Sequence, residues 1–200
     1  MMGMSADLKA ALRPGLRSRR LELSDARDRE MDAKRLAQHV LHLVASHRKQ
    51  AGVCRVAAYV ARPTEPPTHR LIEALEVAGV EVILPVVRPD SSLDWTLHVA
   101  GSGLPGTGTS LGPLLGPEAI GTADLVLTPG LAVDRWGNRI GQGGGSYDRA
   151  LALRRPEALV VALLHDGEVS QDPLPHEPHD LPVDAVLTVD GGCVRCRTWG

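Results

Sequence analysis

Apolar residues fall in two rhythms along this chain, continuous runs and helical repeats. Residues 158–165, Ala-Leu-Val-Val-Ala-Leu-Leu-His, are apolar almost without interruption and rich in branched side chains, as in a strand buried on both faces. Residues 53–61, 80–87 and 184–189 share that character, and Leu125-Val126-Leu127 is a shorter version stopped by Pro129-Gly130. Pro85 removes a ladder donor from its run and places that strand at an edge or a bulge, with residues 93–99 following as the second arm of a hairpin. The segment 184–189 reads as the final strand.

Helical spacing fills the intervals. Leu8, Leu12 and Leu16 recur every four residues, and Lys9 and Arg13 are also four apart. Pro14 clashes with a continuing helix and biases Arg13 away from helical dihedrals, so a break there is expected, rotating Lys9 and Arg13 apart. Ser24 reads as the N-cap of a helix reaching about residue 48, with Met31, Leu36, Val40, Leu43 and Val44 as its apolar stripe. Residues 68–78 predict a short helix capped by Gly79, and another helix starts at Ser146 and reaches about residue 154. Strands alternating with helices predict a three-layer α/β domain around a mainly parallel sheet.

Composition narrows the class. Two hundred residues fit one domain, 1–200, and 43% hydrophobic with 23% charged residues is ordinary for a globular chain. A net charge of −2 with only three Trp and two Tyr argues against nucleic acid as a partner. The longest apolar run is too short to span a membrane and the first residues lack a secretory core, so the cytoplasm is the expected compartment. Cys54, Cys193 and Cys196 do not form a disulfide framework, and one C-x-x-C pair cannot complete a structural zinc site. The helix histidines His39, His42 and His47 read as surface or rim residues. His176-Glu-Pro-His179-Asp180 offers metal-ligand types, but a loop histidine pair is usually solvated. Residues 101–106 fit G-x-G-x-x-G only formally, because Pro105 and the glycines after it forbid the helix that a dinucleotide site needs.

The stretch from Asp124 to Leu151, DLVLTPGLAVDRWGNRIGQGGGSYDRAL, carries the chemistry: a strand, a long glycine loop and a helix start. Backbone N–H groups at residues 143–146 and the positive end of a helix dipole favour an anion there. Arg139 and Arg149 flank the loop and can add charge-assisted contacts to phosphate. Asp134 and Asp148 can hold a hydrated cation. No Gly-Lys-Ser/Thr occurs, so this is not a Walker A loop, and the alternative is a plain glycine-rich connection.

The same stretch resembles the signature of the 5-formyltetrahydrofolate cyclo-ligase family, roughly PGxxFDxxGxRxGxGxGYYDRxL. Pro129, Gly130, Asp134, Gly137, Arg139, Gly141, Gly143, Gly145, Tyr147, Asp148, Arg149 and Leu151 stand in place. Within it Val133 replaces the usual Phe, Ser146 the first Tyr and Gln142 a larger or basic side chain; upstream, residues 112–117 are a degraded version of the family's G-x-x-G-I-x-E-P segment, with Gly116 in place of an acid. The resemblance implies a Rossmann-like fold and conversion of 5-formyltetrahydrofolate, polyglutamylated or not, to 5,10-methenyltetrahydrofolate with ATP and Mg2+. It implies ATP contacts at Lys9, Arg13, Arg139, Ile140, Gly141, Gln142, Gly143, Gly144, Gly145, Ser146 and Tyr147. Folate contacts are implied at Val60, Glu65 and Gln142 through Ser146, and Mg2+ ligands at Asp148 and Asp180. A monomer is the expected state. The substitutions leave a second reading open, a relative that binds folate or nucleotide without turnover.

Overall fold

In the computed structural model, which describes residues 2–51, 55–99 and 112–197, two helices come first, α1 (Met2–Asp25) and α2 (Arg29–Ala51). Strand β1 (Arg55–Ala57), helix α3 (His69–Val77), β2 (Glu81–Val87) and β3 (Leu93–Leu97) follow. A 3-10 helix (Pro117–Thr122) leads into β4 (Leu125–Pro129), then β5 (Ala132–Asp134), β6 (Arg139–Ile140) and α4 (Ser146–Leu151). The chain closes with β7 (Leu159–Leu164), β8 (Val169–Ser170), β9 (Ala185–Thr188) and β10 (Gly192–Arg195). Cys54 and the glycine-rich stretch 101–106 lie outside the described residues.

Seven strands form one sheet in the order β10-β9-β7-β4-β1-β2-β3. Its five central strands are parallel, and β10 and β3 are antiparallel edges. Side chains alternate across it, as the period of two requires. Leu159, Val161 and Leu163 join Leu36, Val40 and Leu71 beneath α2 and α3. Val160, Ala162 and Leu164 join Ile120, Leu151 and Trp95 on the face covered by α4 and the 3-10 helix. The expected layering is therefore present. The chain moves from β1 to β2 on one side and later to β4 on the other, so the carboxyl ends of β1 and β4 frame a topological switch point, a favoured ligand position in open α/β sheets.

Several expectations give way. The second helix is capped by Asp28 rather than Ser24, because the Asp28 carboxylate accepts the N–H groups of Glu30 and Met31, both at 3.0 Å. Its inward stripe is Ala33, Leu36, Ala37, Val40 and Val44, with Met31 left exposed. Gly79 does close α3, at φ +67°, with its own N–H on Glu76 O and the Val80 N–H on Leu75 O. Pro85 lies inside the sheet, not at an edge strand. Ala58 N donates to Ile83 O at 3.0 Å, and the next donor that β2 would turn toward β1 is the absent N–H of Pro85, so the ladder ends and the strands part there. The glycine loop contains a hairpin, β5–β6, which joins β8 in a second, three-stranded sheet. Its turn needs Gly137 at φ +87°, where a Cβ would sit 2.2 Å from the Val183 carbonyl oxygen. Finally, β10 follows the segment read as the last strand, and it carries Cys193.

Helix α1 runs through Pro14 without a break. Ala10, Ala11 and Pro14 are all exposed, so the proline ring and the carbonyl it deprives of a donor face water. Leu8 and Leu12 also face outward, and among the described residues of this helix the buried side chains are Lys9, Arg20 and Ser24.

Candidate active site

A cleft of about 840 Å³ opens over the carboxyl ends of the parallel strands. One wall is α1, which docks through charge. Lys9 Nζ lies 3.3 Å from Glu177 Oε2 and also donates to Asp180. Arg13 Nε donates to Gly141 O at 3.0 Å, and Arg17 holds Gln142 through both its side-chain and backbone oxygens, at 3.0 and 2.9 Å. Arg20 makes a two-pronged ion pair with Glu168, 2.7 Å at each contact, and donates to the Gly130 carbonyl. The unbroken helix keeps Lys9 and Arg13 together in the cleft wall.

The second wall is the glycine loop. Gly143 at φ +107° and Gly145 at φ +65° adopt a conformation that side chains rarely take, and a Cβ on Gly143 would stand 3.3 Å from the Arg13 guanidinium carbon. Arg139 Nη2 binds Asp148 Oδ1 at 2.6 Å, Nη1 binds Pro129 O at 3.2 Å, and the guanidinium lies 5.9 Å from the Tyr147 ring centre. Arg149 does not line the cleft; it braces the loop by donating to the carbonyls of Gly144 and Ser91.

The third wall follows β1. Tyr59 and Val60 line the cleft, then the proline-rich loop turns Glu65 inward, where it is 4% exposed. Its Oε2 accepts the Arg62 N–H at 2.9 Å, and Arg29 holds its carbonyl at 3.1 Å. Burial, with Glu65 nearby, pushes the phenols of Tyr59 and Tyr147 well above their ordinary range, so both stay protonated.

Among the described residues, one cluster has cation-ligand geometry: donor atoms of Glu177, His179 and Asp180 lie within 4.8 Å of one another. Asp180 was singled out by resemblance, whereas Glu177 and His179 belonged to the loop that offers metal-ligand types but was read as solvated. Asp134 is not a cation ligand. It is fully buried, and its carboxylate is consumed by the N–H groups of Trp136, Asn138 and Leu174 and by the Asn138 amide, so it builds the hairpin turn. Ile140, implied as an ATP contact, does not line the cleft. Its side chain packs away from the cleft against Leu131, Ala132 and Leu174, because the hairpin alternates faces. Every other residue implied as a contact or ligand lines the cleft. The sequence reading passed over Tyr59, Arg20 and Arg62.

The model of the 5-formyltetrahydrofolate cyclo-ligase family matches residues 5–189. The chain belongs to that family. It is accordingly an enzyme, a ligase of folate one-carbon metabolism. It is 37% identical to the 5-formyltetrahydrofolate cyclo-ligase of Mycolicibacterium smegmatis over 97% of this chain and 100% of that one. It is 30% identical to the Escherichia coli cyclo-ligase over 86% of this chain and 96% of the other. The 5,10-methenyltetrahydrofolate synthetase of Aquifex aeolicus, solved by NMR, superposes with a TM-score of 0.70 at 26% identity, covering 94% of this cyclo-ligase and 95% of its own chain. Among the described residues, no helix is long and apolar enough to cross a membrane.

Proposed function

We propose that this chain converts 5-formyltetrahydrofolate to 5,10-methenyltetrahydrofolate, consuming ATP and releasing ADP and phosphate. The observation that carries the reading is one cleft joining two kinds of wall. Cationic side chains and a glycine loop stand on one side, and a buried carboxylate at the end of β1 on the other.

A formamide oxygen is a poor leaving group. Transfer of the terminal phosphoryl of ATP to that oxygen makes it a good one; N10 attacks the formyl carbon, the five-membered ring closes and phosphate departs. Such a transfer needs alignment and charge neutralisation rather than a protein nucleophile. Lys9, Arg13 and Arg139 are suited to the phosphates by charge, and the loop from Gly141 to Tyr147 brings backbone amides to the same side. Val60 and Glu65 border the folate side, where the carboxylate accepts from the N–H donors of the pterin edge. Magnesium, when bound, neutralises phosphate charge. The hard oxygens of Asp148 and Asp180 suit it, with Glu177 adjacent to Asp180.

A monomer working as one domain over 1–200 is part of this proposal, and the proposed setting is the cytoplasm. The test is the absorbance of methenyltetrahydrofolate near neutral pH, followed with and without ATP in the presence of magnesium. A rise that requires ATP is expected. Its absence at high protein concentration would overturn the proposal.

A further inference from the structure

The chain contains two tyrosines and no phenylalanine, and both tyrosines line the cleft. Elsewhere, bulk in the core comes from Leu, Ile, Val and Trp95. Tyr59 is 3% exposed and packs its ring into the core beneath α2 and α3. Its hydroxyl is shielded from solvent and has no hydrogen-bond partner among the described residues. A buried hydroxyl without a partner is a cost that a purely apolar ring avoids, and it calls for an explanation. Burial, then the Glu65 carboxylate, raise its pKa, so it remains a donor. Glu65 takes the Arg62 backbone N–H and no hydrogen bond from either tyrosine. A free donor and a carboxylate with remaining acceptor capacity thus stand together at the carboxyl end of β1.

We infer that the Tyr59 hydroxyl donates to the 4-oxo oxygen of the pterin ring while Glu65 accepts from the N–H groups at positions 2 and 3. This rests on the function proposed above. The pterin edge presents one acceptor followed by two donors. A carboxylate can serve the donors but not the oxygen, so the edge requires a separate donor beside it. Arg62 is exposed at the rim, and Tyr147, whose buried hydroxyl is also unpartnered and also feels Glu65, starts from the glycine loop with its ring 5.9 Å from the Arg139 guanidinium, whereas Tyr59 adjoins Val60 at the carboxyl end of β1, on the same segment as Glu65. Tyr59 is a substrate-positioning residue that matches the carboxylate to one edge of one ring.

Tyr59→Phe tests this, because it removes only the oxygen. The KM for 5-formyltetrahydrofolate should rise about tenfold, the equivalent of one hydrogen bond, while the KM for ATP stays within about twofold. The melting temperature of the free protein should stay the same or rise, since no folded-state bond is lost. A KM for folate unchanged within about twofold would overturn the inference and leave the proposed function standing. A lowered melting temperature would reveal a structural partner for the hydroxyl and also overturn it. A wild-type chain with no ATP-dependent turnover would remove the function and this inference together.

Discussion

The ion pair between Arg20 and Glu168 fastens α1 to the rest of the enzyme, and its side chains are 2% and 1% exposed. Glu168→Ala leaves a guanidinium buried with one carbonyl partner, that of Gly130, and strips the His165 backbone N–H of its acceptor at 2.8 Å. Breaking a buried pair from one side costs about 3–5 kcal/mol, chiefly the desolvation of the orphaned charge. At about 2–4 °C per kcal/mol for a chain of this length, the melting temperature should fall by roughly 6–20 °C. Differential scanning calorimetry near neutral pH measures it. The same change should raise the KM for ATP, because Lys9 and Arg13 ride on the helix that Arg20 anchors. The double variant Arg20→Met/Glu168→Leu should recover most of the lost stability, since apolar replacements of both partners leave no stranded charge. A single-variant shift under about 2 °C, or a double variant no better than the single, would refute this reasoning.

Two further expectations concern charge. Asp148→Asn should cut magnesium-dependent turnover by at least about tenfold with an unchanged far-UV spectrum, because the acid both suits the cation and holds Arg139; retained turnover would remove its proposed role. His165 is buried and its Nε2–H donates to Thr64 O, 2.9 Å away, while burial lowers its pKa from the ordinary 6.5. The unfolded chain therefore takes up the proton first, so stability is full above 6.5 and is lost as pH falls from there toward the folded value. Melting temperatures recorded from about pH 7 to about pH 5 should drop more for wild type than for His165→Gln; parallel curves would contradict this.

The central strands were legible because strands buried on both faces must be apolar throughout, and 159–164 leaves no other reading. What sequence pattern misjudged was polar burial. Leu8 and Leu12 suggested an apolar face, yet α1 turns its cations inward because their partners, Glu168, Glu177 and Asp180, arrive from distant segments. Pro14 was expected to break that helix, but its exposed position lets water serve the freed carbonyl. Asp134 looked like a cation ligand because nothing in its spacing shows that four donors converge on it; the one local signal was Asn138, four residues on. Glu177 was in view, and Lys9, a cation needing an acid in a buried wall, is the signal that could have picked it out. Ile140 was carried along with its neighbours in the signature, although β-strand alternation at Arg139–Ile140 points only one of the two into the cleft.

The central claim is that α1 and the glycine loop together hold the nucleotide. Calorimetric titration of a non-hydrolysable ATP analogue with magnesium into wild type and Lys9→Ala tests it most directly. One site per chain is predicted for wild type, with affinity weakened about tenfold in Lys9→Ala, as expected for a lost charge-assisted contact. No binding heat in wild type with reduced folate present, or equal affinity in the two proteins, would contradict the account.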